Sequence, residues 1–240
     1  MNTHSIKKKL FAGKCFPACT FIAIAALMML FAGCKKFLDV PPKDKVPQSV
    51  LLKDEQGFKD ALIGVYLGMD KAKGNYGLYT TNLTMGMLST LGYNYDNATV
   101  ANAGVGGAFY NNVVYYVYLD GQVRQEIDGI WGGMYNNIAN LNNLLIQIDS
   151  KKDVFTADNF DRVKGEATAL RALFHFDLLR MFGQSPVTGS TVKAIPYVTQ
   201  FTVSPTPHIT LQAALDSCIV DLTKAKDLLA KTDTSAVLKG

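Results

Sequence analysis

A mainly α-helical fold is predicted by the pattern of apolar residues. In four long segments they recur every three or four positions, the period of an amphipathic helix. Only one short run, Val113-Val114-Tyr115-Tyr116-Val117-Tyr118, has the β-branched and aromatic character of a strand. Between the first two helical segments, residues 72–121 follow neither period and are rich in Gly, Asn and Tyr, which marks a long irregular insertion.

Lys7, Lys8, Lys9 and Lys14 precede an apolar stretch from Phe21 to Ala32. A basic start, a short apolar core and small residues at its end describe a secretory signal peptide. The stretch is too short for a bilayer, which needs about 20 apolar residues, and Pro17 interrupts any longer helix. Phe31-Ala32-Gly33-Cys34 resembles a bacterial lipobox. The expectation is a signal peptide over 1–33, cleavage before Cys34 and a membrane anchor through lipid on that cysteine. Residues 34–53 read as a tether, because Pro41-Pro42 favours extended polyproline geometry.

The first helix is expected over about 54–70, with Phe58, Ala61, Leu62, Val65, Tyr66 and Met69 on one face. A shorter helix fits near 80–91. The second long helix covers about 123–149, where Ile127, Ile130, Met134, Ile138, Leu141, Leu145 and Ile148 form a continuous stripe that Trp131 and Tyr135 widen. The third covers about 157–182 through Phe160, Val163, Ala167, Leu170, Phe174, Leu178 and Met181. Asp158 and Asp161 favour its start, Gly183 offers a C′ residue and Pro186 stops it. The fourth covers about 210–231, with Thr210 as N-cap and Leu211, Leu215, Ile219, Leu222, Ala225 and Leu229 as its face.

Composition removes several function classes. The net charge of +4 equals the four lysines of the signal segment, which has no acid, so the remainder is neutral and carries no basic stripe for nucleic acid. Cys15 and Cys19 leave with the signal and Cys34 takes lipid, so only Cys218 remains, a small hydrophobe among Leu215, Ile219 and Leu222. Gly104-Val105-Gly106-Gly107 lacks the spacing of a phosphate loop. His175 and His208 have no metal-ligand spacing around them, and no cofactor is called for. No acid/base pair of carboxylates can be nominated. Glu166 and Arg171 read as charges that order helix packing, and His175, beside Phe174 and Phe176, as structural.

The irregular insertion holds the candidate site. Tyr93, Tyr95, Asp96, Asn97, Asn102, Tyr110, Asn111 and Asn112 mix flat apolar rings with amide and carboxylate groups. Sugars present apolar C–H faces and rings of hydroxyls, so this mixture suits them. The same residues also suit packing over helices and the making of turns. Tyr93, Tyr95, Asp96 and Asn97 are the candidate ligand contacts.

Five ordered motifs resemble the SusD/RagB family of outer-membrane nutrient-binding lipoproteins. Cys34-Lys35-Lys36-Phe37-Leu38-Asp39-Val40-Pro41-Pro42 resembles the family's mature N-terminus, and Gly57-Phe58 with Ala61, Gly64 and Tyr66 its first helix. Trp131-x3-Tyr135-x2-Ile138-x3-Asn142, then Gly165-Glu166-Ala167-x3-Arg171-Ala172 with Phe176, Phe182-Gly183 and Pro186, then Ile219-x-Asp221-Leu222-x2-Ala225 follow in family order. The resemblance implies tetratricopeptide-like helix pairs with long irregular loops, and a SusD-like N-terminal helical domain over 54–240 that stops short of the family's C-terminal half. It implies a non-catalytic surface lipoprotein of the outer membrane that binds glycans, or in some members peptides, and caps a SusC-like TonB-dependent transporter. It also implies that an early loop contributes to the glycan site, which by position is the tyrosine-rich insertion. A helical protein–protein scaffold is the alternative; a glycoside hydrolase is the weakest reading.

Lipidation has a direct check. Labelled palmitate is expected to enter the wild-type protein and not Cys34→Ser; equal labelling of both would contradict the anchor.

Overall fold

The computed structural model describes residues 48–70, 77–96 and 107–232. The signal segment, Cys34, most of the tether, Asn97 and Asn102 lie outside the described residues. The last tether residues are not extended: Gln48–Leu51 forms one helical turn, and Leu52 is buried in the core.

Helix α1 spans Glu55–Asp70. Helix α2 is a π-helix over Leu78–Leu88 continued by an α-helical turn, Ser89–Leu91. Helix α3 spans Gly107–Val114, α4 Gly121–Ile148, α5 Asn159–Phe182 and α6 Leu211–Thr232. The insertion is thus more helical than its composition implies. Among the described residues β pairing is limited to one isolated bridge, Lys193 with Thr210.

The apolar stripes meet in one core. Phe58, Leu62 and Val65 of α1 and Leu78, Leu83 and Met87 of α2 pack with Ile130, Met134, Ile138 and Leu141 of α4 and with Val163, Ala167, Phe174 and Leu178 of α5. Helix α5 packs against both α4 and α6. Asp120 starts α4 as expected of an N-cap: its Oδ1 accepts from the amides of Gln122 at 2.9 Å and Val123 at 3.2 Å. Thr210 caps α6 through Ala213 N–H, 3.2 Å from Oγ1. Trp131 is half-buried, its ring 4.9 Å from Tyr135 and 4.8 Å from Phe182.

Four expectations need correction. No strand forms at Val113–Tyr118: Val113 and Val114 end α3 with both side chains buried, and Tyr116 takes a left-handed φ of 56° that extended backbone excludes. Gly183 closes α5 with extended backbone, φ −86° and ψ 160°, rather than as a left-handed C′ residue. Tyr66 is exposed, donating its hydroxyl to Glu166 Oε2 at 3.1 Å. The fourth correction is to the phase of α6. Its buried face is Leu211, Ala214, Cys218, Asp221, Ala225 and Thr232, while Ile219 and Leu222 face outward. This phase goes with close approach to α5: a Cβ on Gly165 would lie 2.8 Å from Leu229 Cγ. Small residues fit that seam and isoleucine does not.

Asp221 faces inward because Arg171 does. The Arg171 guanidinium is buried and donates from Nε and Nη2 to the two carboxylate oxygens of Asp221, each at 2.8 Å, a bidentate fork. Its Nη1 donates to Asn142 Oδ1 at 3.1 Å, and Asn142 Nδ2 donates to the Val198 carbonyl at 2.9 Å. Tyr197 donates to Asp221 Oδ2 at 2.7 Å and stacks on His175, ring centroids 3.9 Å apart. His175 Nδ1 faces the Arg171 carbonyl at 2.8 Å and Nε2 accepts from Val198 N–H at 2.9 Å. Nδ1 must therefore carry the proton of a neutral ring. Burial holds the imidazole pKa down at about 4.

Two outcomes follow from this network. Asp221→Ala leaves a buried guanidinium unpaired and is expected to cost about 3–5 kcal/mol in denaturant unfolding. His175 stays neutral in the folded chain down to pH about 4, whereas an unfolded histidine takes a proton below about 6.5. Its folded pKa is lowered, so its contribution is present above 6.5 and lost as pH falls toward 4, by at most about 3 kcal/mol. Chemical denaturation across that window should show a steeper loss in wild type than in His175→Gln.

Candidate functional site

Two helix ends build the site. Helix α2 ends at Leu91; Tyr93 N–H bonds to the Thr90 carbonyl at 3.1 Å and Asn94 N–H to the Ser89 carbonyl at 2.9 Å. Helix α3 ends at Val114; Tyr116 N–H bonds to the Val113 carbonyl at 3.1 Å and Val117 N–H to the Asn112 carbonyl at 2.8 Å. Both patterns are Schellman closures, in which the C′ residue adopts left-handed backbone and is usually glycine. Here both C′ residues are tyrosine, with φ of 54° at Tyr93 and 56° at Tyr116. A side chain in that region costs about 1–2 kcal/mol.

The two tyrosines hold each other's helix. Tyr93 donates its hydroxyl to the Val114 carbonyl at 3.3 Å, the last residue of α3. Tyr116 donates to the Leu91 carbonyl at 3.4 Å, the last residue of α2. Each phenol thus satisfies a carbonyl that a helix terminus leaves open. Their rings lie 6.2 Å apart at 55°, and Tyr118 packs edge-on against Tyr116 at 6.0 Å.

The result is an aromatic shelf open to solvent. Tyr93 is 53% exposed, Tyr115 66%, Tyr116 46% and Tyr118 45%. Tyr95 and Asp96 are exposed as well, in the segment leaving the first Schellman turn. Apolar rings gathered at the surface mark an interaction site more reliably than scattered ones. The shelf has a firm mount, since Asp120, which caps α4, bonds back through its amide to the Val117 carbonyl at 3.1 Å.

Of the four candidate contacts, Tyr93 lies within the shelf, Tyr95 and Asp96 lie beside it in sequence, and Asn97 is outside the described residues. Tyr110, Asn111 and Asn112 belong to α3, where the Tyr110 ring packs on Phe109 at 5.1 Å. Tyr115, Tyr116 and Tyr118 were not among the candidates. Their signal was present in the Tyr-rich run 113–118, but alternation with valine made it read as a strand.

Elsewhere the chemistry is structural. Arg171, the charge singled out with Glu166, pairs with Asp221 instead. The Cys218 thiol is buried, 3.7 Å from the Ala172 carbonyl it donates to, and burial pushes its pKa up to about 12. Among the described residues no cluster of three or more His, Cys, Asp or Glu could hold a metal ion, and no helix is long and apolar enough to cross a membrane.

The sequence profile of a SusD-like family, described as starch-binding and associating with the outer membrane, matches residues 36–239. No curated protein matches the chain. Among solved structures, a SusD superfamily protein from Bacteroides fragilis is similar at 16% identity and a TM-score of 0.55, covering 72% of this chain and 39% of its own. Another from Bacteroides thetaiotaomicron is similar at 17% and 0.51, with coverage of 73% and 37%. One from Bacteroides vulgatus stands at 20% and 0.51, with coverage of 73% and 35%. At these identities the likeness is one of fold, helical with tetratricopeptide-like pairs. The chain spans under two fifths of the length of each structure.

The strained turns give a stability test. Glycine suits left-handed backbone and alanine does not, so Tyr116→Gly should be more stable than Tyr116→Ala by about 1 kcal/mol, with the same order at Tyr93. Thermal melts of the four variants check this; alanine equal to glycine would mean the backbone there is not left-handed.

Proposed function

This chain belongs to the SusD-like family described as starch-binding and associating with the outer membrane, and on that premise we propose that it is a non-catalytic, lipid-anchored surface protein that binds glycans and delivers them to a SusC-like TonB-dependent transporter. The observation that carries the reading is the aromatic shelf. The chain keeps two tyrosines at backbone positions that favour glycine, and the shelf they join is exposed. Strain of this kind persists where it serves a site. A pyranose ring presents an apolar C–H face that stacks on a phenol, and its hydroxyls suit the carboxylate of Asp96, which follows Tyr93 by three residues.

The reading separates the work of the helices from that of the loop. Helices α4, α5 and α6, pinned through Arg171, are a frame; the ends of α2 and α3 hold the contacts. Loops mounted on rigid elements are where binding residues concentrate. The lipid on Cys34 would hold this frame at the outer membrane.

A second reading has its own observation. Ile219, Val220, Thr223, Lys224, Asp227 and Leu228 line a shallow groove on the outward side of α6, as a protein–protein scaffold would need.

Isothermal titration with malto-oligosaccharides tests the first reading. Tyr93→Ala, Tyr95→Ala and Asp96→Ala are each expected to weaken binding, by about two- to tenfold for a lost ring, whereas Tyr95→Phe should bind nearly as wild type. If all three alanine variants bind as wild type does, the shelf is not the site.

A further inference from the structure

We propose that the outward face of α6 is where a second copy of this chain docks, the two α6 helices packing antiparallel about a two-fold axis that passes between Thr223 and Lys224. This goes beyond glycan binding and uses a different part of the molecule.

Three observations carry it. First, the face is apolar where a solvated helix would be polar. Ile219 is 60% exposed and Val220 65%, and with Thr223, Lys224, Asp227 and Leu228 they line a groove of about 450 Å³. Contiguous apolar surface of this kind marks an interaction site. Second, the charges along the face complement a reversed copy of themselves. Asp216 lies near the start of α6 and Lys231 near its end, with Lys224 and Asp227 between them. Two copies packed parallel about a two-fold axis would set each charge against itself, acid on acid and base on base. Packed antiparallel about the proposed axis, Asp216 faces Lys231 of the second copy and Ile219 faces its Leu228. Each pairing occurs twice, as an isologous contact requires. Lys224 then faces Thr223 of the second copy, one helical turn from that copy's Asp227.

Third, these charges have capacity to spare. Among the described residues no ion pair within the chain engages Lys224 or Asp227. Asp216 Oδ1 accepts from Gln212 Nε2 at 2.9 Å, which leaves its other oxygen for a partner. Lys231, 60% exposed and 3.7 Å from Asp161 Oδ2, has two further donors on its ammonium. The helix has 22 residues and is about 33 Å long. One helix face on another buries less than the roughly 1,200–2,000 Å² of a stable complex. The pairing is therefore reversible, and a trapping experiment suits it.

The experiment is oxidative cysteine cross-linking of the full chain in the membranes of cells that make it. The unaltered chain is the control for the native cysteines, and Cys218 is buried. Thr223→Cys places two thiols side by side at the axis, within disulfide reach. Gln212→Cys places them about 34 Å apart along an antiparallel pair, but in contact in a parallel one. Val187→Cys, at a site 91% exposed, measures random collision. The expected result is a disulfide-linked dimer from Thr223→Cys, with Gln212→Cys and Val187→Cys no higher than the unaltered chain. In the Thr223→Cys chain, Ile219→Asp should remove the dimer. Lys224→Glu should lower its yield severalfold, and Lys224→Glu with Asp227→Lys should regain it. No dimer from Thr223→Cys, or as much from Val187→Cys, would overturn the pairing. Equal dimer from Gln212→Cys would overturn its antiparallel sense. A cross-linked species of another mass in place of the dimer would give the face to a different protein and overturn the proposal, with the glycan reading untouched in every case.

Discussion

The buried guanidinium of Arg171 sets the arrangement of the helices around it. Its fork to Asp221 fixes α6 against α5, its third bond reaches α4 through Asn142, and its own carbonyl orients His175, which in turn holds the backbone at Val198. A charge in this position is tolerated only when every donor finds an acceptor, so the four elements cannot shift independently. The inward turn of Asp221 forces the phase of α6, and that phase requires small residues, Ala214, Cys218 and Ala225, along the buried face. Gly165 belongs to the same constraint, as the point where α5 makes room for Leu229.

The exposed edge follows a different physics. Where the frame pairs the buried polar groups around Arg171, the shelf accepts unfavourable backbone at Tyr93 and Tyr116 and recovers part of that cost by having each phenol close the other helix. The two regions meet at Asp120, where the shelf ends and the long helix α4 begins. Rigidity on one side of that residue makes possible a strained, open surface on the other.

The helices were legible because period alone specifies them: α1, α4 and α5 lie within two residues or so of the expected bounds. The phase of α6 was not legible, because an apolar count favours Ile219 and Leu222 and has no means of knowing that a carboxylate will face inward. The clue lay in the motifs themselves. Asn142, Arg171 and Asp221 are polar members of three of them, and they converge in one network although they lie far apart in sequence. The shelf was half legible. Tyr93, Tyr95 and Asp96 stood out by composition, but Tyr115, Tyr116 and Tyr118 were hidden in a run whose alternation imitates a strand. What decides between strand and Schellman turn is a single left-handed residue, Tyr116, and tyrosine gives no local sign of that conformation.

The central claim is that a ligand is taken on the shelf and the frame stays as it is. Amide hydrogen exchange with and without a bound oligosaccharide addresses it most directly. The account predicts added protection confined to residues 89–96 and 112–119, with the amides of α5 and α6 around Arg171 and Asp221 unchanged. Protection gained instead along α6 at Ile219 to Leu228, with none at the two Schellman turns, would contradict it.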